Sequence, residues 1–435
     1  MSETQIGIAG IAALIALIAM RAPIGIALIT VSFAGIWAIG GWAIAWGMFK
    51  VVPYTSLSNW TLSSIPMFLL MGFICHHCGL TRGLFEAAGL WFARLPGGLA
   101  IASVFGCTGF AAVTGSSVAC AAAMGKVAVP EMVRRGYDVS LATGTLACAG
   151  TIGALIPPSI LMILFGVVAQ TSISQLFLGG IGVGLATAAT YVIVILVRVW
   201  LNPALAPRIT EHASWQQHLT AGRATWPVVL LIVGVLGGMF SGLFTATEAG
   251  AVGALLSIVI AAIKKTLTRD TFSRSVIETL VTCGSVFIVV IGASLLTRFL
   301  TLSGVAEAIS TGVKAMNTGP VALLVAMTIV YLILGMFLEP IGALMITAPI
   351  FLPLVGAADI NMIWFGVYVV KLLEIGMVTP PVGLNVFVLS STVGKLASTD
   401  VIFRGVVWFF IADMFLLALL IAVPDIIMFI PKLFA

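Results

Sequence analysis

The sequence predicts an all-helical, polytopic membrane protein, and three observations carry that prediction. Of 435 residues, 61% are hydrophobic and only 8% are charged, against about a quarter charged in ordinary soluble domains. The apolar runs are continuous rather than alternating, which excludes the strands of an outer-membrane barrel. Forty-six glycines and 18 prolines exclude a bundle of uninterrupted leucine-rich helices and point to close helix contacts and broken helices. At roughly 20 residues per span, about ten spans plus two re-entrant helical hairpins account for the apolar share.

The elements follow in order. Residues 1–5 lack the basic region of a cleaved signal peptide, so the run at 6–20 reads as a first span. Runs at 24–49 and 54–80 follow, and then 99–129, too long for one simple span and interrupted at Thr114-Gly115-Ser116-Ser117. That run reads as a hairpin entering and leaving from one side. The run at 141–170 is broken at Pro157-Pro158, where prolines remove backbone donors and open the helix. A span at 176–200 precedes the longest polar stretch, 201–225, which includes Arg208, Glu211 and His212. About 25 residues cannot enclose a core, so this stretch is expected as a surface linker anchored by Trp215 and Trp226. Spans at 226–243, 246–263 and 275–300 lead to a second hairpin at 320–354, interrupted at Glu339-Pro340-Ile341-Gly342. A second broken helix at 361–393, opened at Pro380-Pro381, and a last span at 402–423 complete the chain.

The two Pro-Pro pairs expose an internal duplication. An offset of 223 carries Pro130 onto Pro353, Gly153 onto Gly376 and Pro157-Pro158 onto Pro380-Pro381, and sets Ser116 on Glu339. The organisation is then N-terminal scaffold (1–60), first repeat (61–200), linker (201–225), further scaffold spans (226–274), second repeat (275–423) and a tail (424–435). The spans near 6–49, 176–200, 226–263 and 402–423 are expected to form the scaffold around the two interrupted units.

With the N-terminus outside, 15 of the 20 Lys and Arg residues fall on the cytoplasmic side, which favours that orientation over its inverse. Both termini are then external. The first hairpin opens to the cytoplasm and the second to the outside, so the repeats are inverted, an arrangement of secondary transporters. The basic residues, net charge +5, form no stripe with interleaved aromatics and give no sign of nucleic-acid binding. Cysteines 75, 78, 107, 120, 148 and 283 all lie in or beside apolar segments, so a disulfide framework is not expected.

Broken helices persist in hydrocarbon only where something satisfies the freed backbone groups, and a cation is such a partner. Carbonyls around Gly153 and before Pro157, with the hydroxyls of Ser116, Ser117 and Thr151, suit Na⁺. The mirror set is Glu339, Gly342, Gly376 and Thr379, in which Glu339 adds a formal charge. Candidate substrate contacts are Thr114, Ser159 and Asn385.

The motifs Gly115-Ser116-Ser117-Val118-Ala119, Gly136-Tyr137-Asp138, Gly150-Thr151-Ile152-Gly153, Ile156-Pro157-Pro158-Ser159, Thr247-Glu248-Ala249 and the run from Ile375 to Asn385 occur in order between about residues 60 and 420. In this the chain resembles the large membrane subunit of tripartite ATP-independent periplasmic (TRAP) transporters. The resemblance implies a sodium-driven importer of organic anions with an elevator mechanism, seated in the bacterial inner membrane, where the charge bias above makes both termini periplasmic. It also implies a small four-helix membrane subunit and a periplasmic substrate-binding protein as partners. Glu339 departs from the family pattern, which more often has Asp there. The alternative is a sodium- or proton-coupled anion transporter of related fold that needs no binding protein.

Other residues have plainer readings. Cys75-His76-His77-Cys78 closes an apolar span without a second ligand cluster. Lys371 and Glu374, spaced i,i+3, are expected to pair with each other, while Arg298 and Asp413 show no evident partner. Thr245 to Glu248 reads as a capping box. Trp37, Trp42, Trp46 and Trp408 offer aromatic surface for a partner subunit. No HExxH, GxSxG or Walker A pattern occurs, which argues against an intramembrane enzyme and direct use of ATP.

Overall fold

Glycine and proline set the helix ends in the computed structural model, which describes residues 2–207, 214–315 and 319–434; all regular structure in them is helical. Glu3–Ala19 starts on a Ser2/Gln5 capping box. Ile24–Leu57 follows and bends at Gly41, whose φ of +80° no β-carbon would tolerate cheaply. The first hairpin is Gly98–Thr114 and Ser117–Arg134, turned by Gly115 at φ +61°. The first broken helix is Val139–Thr151 and Ile160–Val168, with a short 3-10 turn at Ile152–Ala154. The second hairpin is Pro320–Phe337 and Pro340–Ala357, and the second broken helix is Met362–Gly376 and Leu384–Val393.

The duplication extends to element boundaries. The returning hairpin arms Ser117–Arg134 and Pro340–Ala357 differ by 223 at both ends. So do two amphipathic helices that hydropathy alone does not mark as elements, Arg82–Phe92 and Val305–Ala315. Asp138 and Asn361, again 223 apart, each cap the broken helix that follows with a side-chain oxygen. Both Pro-Pro bonds are cis.

Seven helices among the described residues are long and apolar enough to cross a bilayer, or eight if the pair bent by 48° at Trp215–Ala224 and Trp226–Phe240 counts as one. The remaining expected spans are shorter or interrupted: Glu3–Ala19 has 17 residues, and each broken helix is divided at its prolines. In the linker, Trp215–Ala224 is a helix opened by Ser214 and Gln217, with Trp215 exposed; Arg208, Glu211 and His212 lie outside the described residues. The Thr245/Glu248 capping box opens Ala246–Ile263.

Helix pairing separates two kinds of packing. Arg269–Leu302 lies along Ile24–Leu57, and Ala246–Ile263 lies along Ser64–His77. The spans near 176–200 and 402–423 pack on the broken helices, as Ile173–Leu201 and Thr399–Ala422. Small residues allow it: a β-carbon on Gly405 would sit 1.9 Å from the Ser140 carbonyl oxygen and 2.9 Å from the Gly144 Cα, the close backbone approach on which membrane helices rely. Buried polar groups also require it, because Lys371 finds its counter-ion only on the last of these helices.

Candidate functional site

The first hairpin tip is seated on the first break by backbone contact. A β-carbon on Gly115 would come 2.4 Å from the Pro158 carbonyl oxygen, and one on Gly153 would come 3.2 Å from the Ser117 nitrogen. Ser116 caps the returning arm, its hydroxyl accepting from the Ala119 N–H at 3.3 Å. The structure therefore brings Ser116, Ser117, Gly153 and the Pro157-Pro158 segment together. Ser117 also reaches across to the other repeat, donating to the Glu374 carboxylate at 2.6 Å. The Thr151 hydroxyl donates to the Cys148 carbonyl at 2.7 Å and lies 3.2 Å from the Tyr191 hydroxyl.

The second unit is built differently. Gly376 packs on the outgoing hairpin arm, where a β-carbon would meet the Gly335 Cα at 2.6 Å. Thr379 donates to the Ile375 carbonyl at 2.7 Å, and the Asn385 N–H closes the break on the Met377 carbonyl at 3.0 Å. Glu339 occupies the N-cap position of its arm without a side-chain cap bond. A β-carbon on Gly342 would meet the Ile24 side chain of the neighbouring span at 2.4 Å, so this glycine's open side faces Ile24 and not Gly376.

Both tips and both breaks border one cavity of about 360 Å³. Its walls are residues 114–119 and 339–341 from the tips, Ala154 and Ile160 beside the first break, and Glu374, Met377 and Leu384 beside the second. Thr114 lines it, whereas Ser159 caps Ile160–Val168 and Asn385 donates to the Ala147 carbonyl at 3.4 Å, both fully buried outside the lining. Sequence reasoning missed the remaining wall, Leu69, Gly72 and His76 from one helix and Glu278 and Thr282 from another. His77 Nε2 lies 3.1 Å from Glu278.

Beside the cavity, a buried polar chain ties the repeats together. Lys371 does not pair with Glu374: its amine lies 2.6 Å from Asp413, and both side chains are at most 1% exposed. Tyr191 donates to the other Asp413 oxygen at 2.7 Å. Asp413 thus has two partners, and the i,i+3 expectation fails because the Lys371 amine is taken by Asp413 on another helix, which leaves Glu374 to the Ser117 hydroxyl.

On the outer surface, Trp42 stacks on Trp46 with centroids 5.7 Å apart, beside Trp37, and all three are exposed. Trp408 stands apart from them, with the Arg198 guanidinium 5.9 Å from its ring.

Residues 11–426 match the family described as tripartite ATP-independent periplasmic transporter, DctM component. The chain is 37% identical over 347 residues to the C4-dicarboxylate TRAP transporter large permease protein DctM of Pseudomonas aeruginosa, covering 78% of this chain and 79% of that one. To the isethionate TRAP transporter permease protein DctMQ of Oleidesulfovibrio alaskensis it is 33% identical over 375 residues, 85% of this chain and 58% of that one. The crystal structure of the Alcanivorax borkumensis YdaH transporter superposes with a TM-score of 0.62 over 88% of this chain and 90% of that one, at 11% identity, a likeness of fold alone. The relatives are transport permeases and not enzymes, and this multi-pass membrane protein belongs to the large permease family of TRAP transporters.

Proposed function

We propose that the protein imports an organic anion by sodium-coupled secondary transport, with the two hairpins and two broken helices moving as one body in an elevator mechanism. The observation that carries this reading is the single cavity bordered by both tips and both breaks. Relatives are named for a C4-dicarboxylate and for isethionate, so the substrate class is a carboxylate or sulfonate. Helices Ile173–Leu201 and Thr399–Ala422 travel with the broken helices on which they pack, and the paired spans Ile24–Leu57 with Arg269–Leu302 and Ser64–His77 with Ala246–Ile263 stay as scaffold.

The oxygens near the first tip, from Ser116, Ser117 and the carbonyls around Gly153 and Pro157, match the donor chemistry of Na⁺. Thr151 supports that set from behind through Tyr191. Glu339, Gly342, Gly376 and Thr379 are the second set. Sodium supplies, when bound, the positive charge that lets an anion enter a cavity bordered by Glu278, Glu339 and Glu374. Thr114 offers a substrate contact in that wall, and Ser159 and Asn385 brace the segments behind it.

The chain works in the bacterial inner membrane with both termini periplasmic, the orientation supported by the placing of its basic residues. A small four-helix subunit covers the aromatic face at Trp37, Trp42 and Trp46, and a periplasmic binding protein delivers the anion. The test is uptake by proteoliposomes of the assembled complex. Accumulation is expected only with an inward sodium gradient and the loaded binding protein. Equal uptake with a potassium gradient, or of free anion without the binding protein, refutes the corresponding part of the reading.

A further inference from the structure

The carboxylate of Glu374 is 1% exposed and borders the cavity. Among the described residues no basic nitrogen lies within ion-pair distance of it, because Lys371, one turn earlier, is bound to Asp413 at 2.6 Å. A buried charge without a counter-ion is strongly disfavoured in hydrocarbon. The Glu374 carboxylate accepts a hydrogen bond from the Ser117 hydroxyl at 2.6 Å, and Ser117 stands at the hairpin tip seated on the first repeat's break. A serine that donates its only proton to a carboxylate keeps its oxygen lone pairs for a cation.

We propose that Glu374 is the charge partner of the cation held at the first hairpin tip, acting through the Ser117 hydroxyl, so that the second repeat completes the ion site of the first. The inference rests on the sodium reading given above. Lys371 and Asp413 cancel each other, which leaves Glu374 as the charge a monovalent cation would balance before the bundle moves through the bilayer. The Ser117 to Glu374 bond also makes occupation of the first repeat's site a matter for the second repeat's broken helix, which gives the two units a reason to move together.

The experiment is thermal unfolding of the purified protein in detergent, titrated with sodium chloride against choline chloride at constant ionic strength. Wild type is expected to be stabilised by sodium, and Ser116→Ala to raise the half-saturating concentration. Glu374→Gln keeps an acceptor for Ser117 but removes the charge, and is expected to raise that concentration tenfold or more. Glu374→Asp, which keeps the charge, is expected to fall between the two. If Glu374→Gln titrates like wild type while Ser116→Ala is shifted, the role given to Glu374 is wrong and the sodium site stands. If sodium stabilises neither wild type nor variants, the sodium reading itself fails. Should Glu374→Gln not elute as a folded species, Glu374→Asp carries the test: drawing the carboxylate back from Ser117 with every proposed sodium donor intact is expected to raise half-saturation several-fold, and an unchanged value overturns the proposal.

Discussion

Replacing Lys371 by methionine would strand Asp413, whose side chain is 1% exposed and keeps only Tyr191 as a partner. Removing one member of a buried ion pair typically costs about 3–5 kcal/mol, which lowers the folding equilibrium constant by about a hundredfold to a few thousandfold. Asp413→Asn would cost a similar amount by leaving the Lys371 amine uncompensated. Tyr191→Phe removes one hydrogen bond to a charged group and should cost about 1.5–3 kcal/mol. The double variant Lys371→Met with Asp413→Leu removes both charges and leaves side chains of comparable bulk, so most of the loss should return. Tyr191 would still have the Thr151 hydroxyl at 3.2 Å. Denaturant or thermal unfolding of the purified protein reads all four variants. Single variants within about 1 kcal/mol of wild type, or a double variant as unstable as the two singles summed, would refute the reasoning, because a buried pair cannot be both unshielded and energetically silent.

Three further predictions concern backbone contacts and orientation. Gly376→Val should abolish transport without preventing insertion, since its β-carbon would stand 2.6 Å from the Gly335 Cα and force the second hairpin off its broken helix; surface expression and uptake measured together check this. Gly115→Ala combines a left-handed conformation at φ +61° with a contact of 2.4 Å to the Pro158 carbonyl oxygen, the former alone worth roughly 1–2 kcal/mol, and is expected to lower sodium affinity and uptake. All six native cysteines are buried and free, so single thiols at Arg135→Cys and Lys265→Cys should label against a low background from the cytoplasmic side; labelling of either from the periplasm alone would invert the topology.

Much of the architecture was legible because its signals are local. Proline and glycine interrupt a helix wherever they stand, so the hairpin turns at Gly115 and Glu339 and both breaks could be placed from sequence, and one offset related them. Tertiary partnership carries no such local sign. Lys371 and Glu374 share a helix face at a spacing that suits pairing, yet Lys371 is joined to a residue 42 positions away and Glu374 to one 257 away. The cavity wall formed by His76, Glu278 and Thr282 comes from helices that are far apart in the chain, and nothing around those residues signals a meeting. The amphipathic helices Arg82–Phe92 and Val305–Ala315 are too short to register as apolar runs, and only the repeat relates them. The packing of Ile173–Leu201 and Thr399–Ala422 on the broken helices was hidden for the same reason: the glycines and buried polar groups that fasten them there act only once the chain is folded.

The central claim is that the hairpins and broken helices travel as a body past a fixed scaffold, and a disulfide across that boundary tests it most directly. Gly342 at the second tip and Ile24 of the scaffold are suitably placed: a β-carbon on Gly342 would lie 3.4 Å from Ile24 Cγ2 and 2.4 Å from its Cδ1, so an Ile24→Cys with Gly342→Cys variant removes the obstructing methyl and leaves the sulfurs within bridging reach, where Cβ atoms stand about 3.5–4.5 Å apart. In a background without native cysteines, the oxidised variant in proteoliposomes is expected to lose sodium-driven uptake, and reductant to restore it. Uptake by the fully cross-linked protein at the rate of the reduced one would contradict the account.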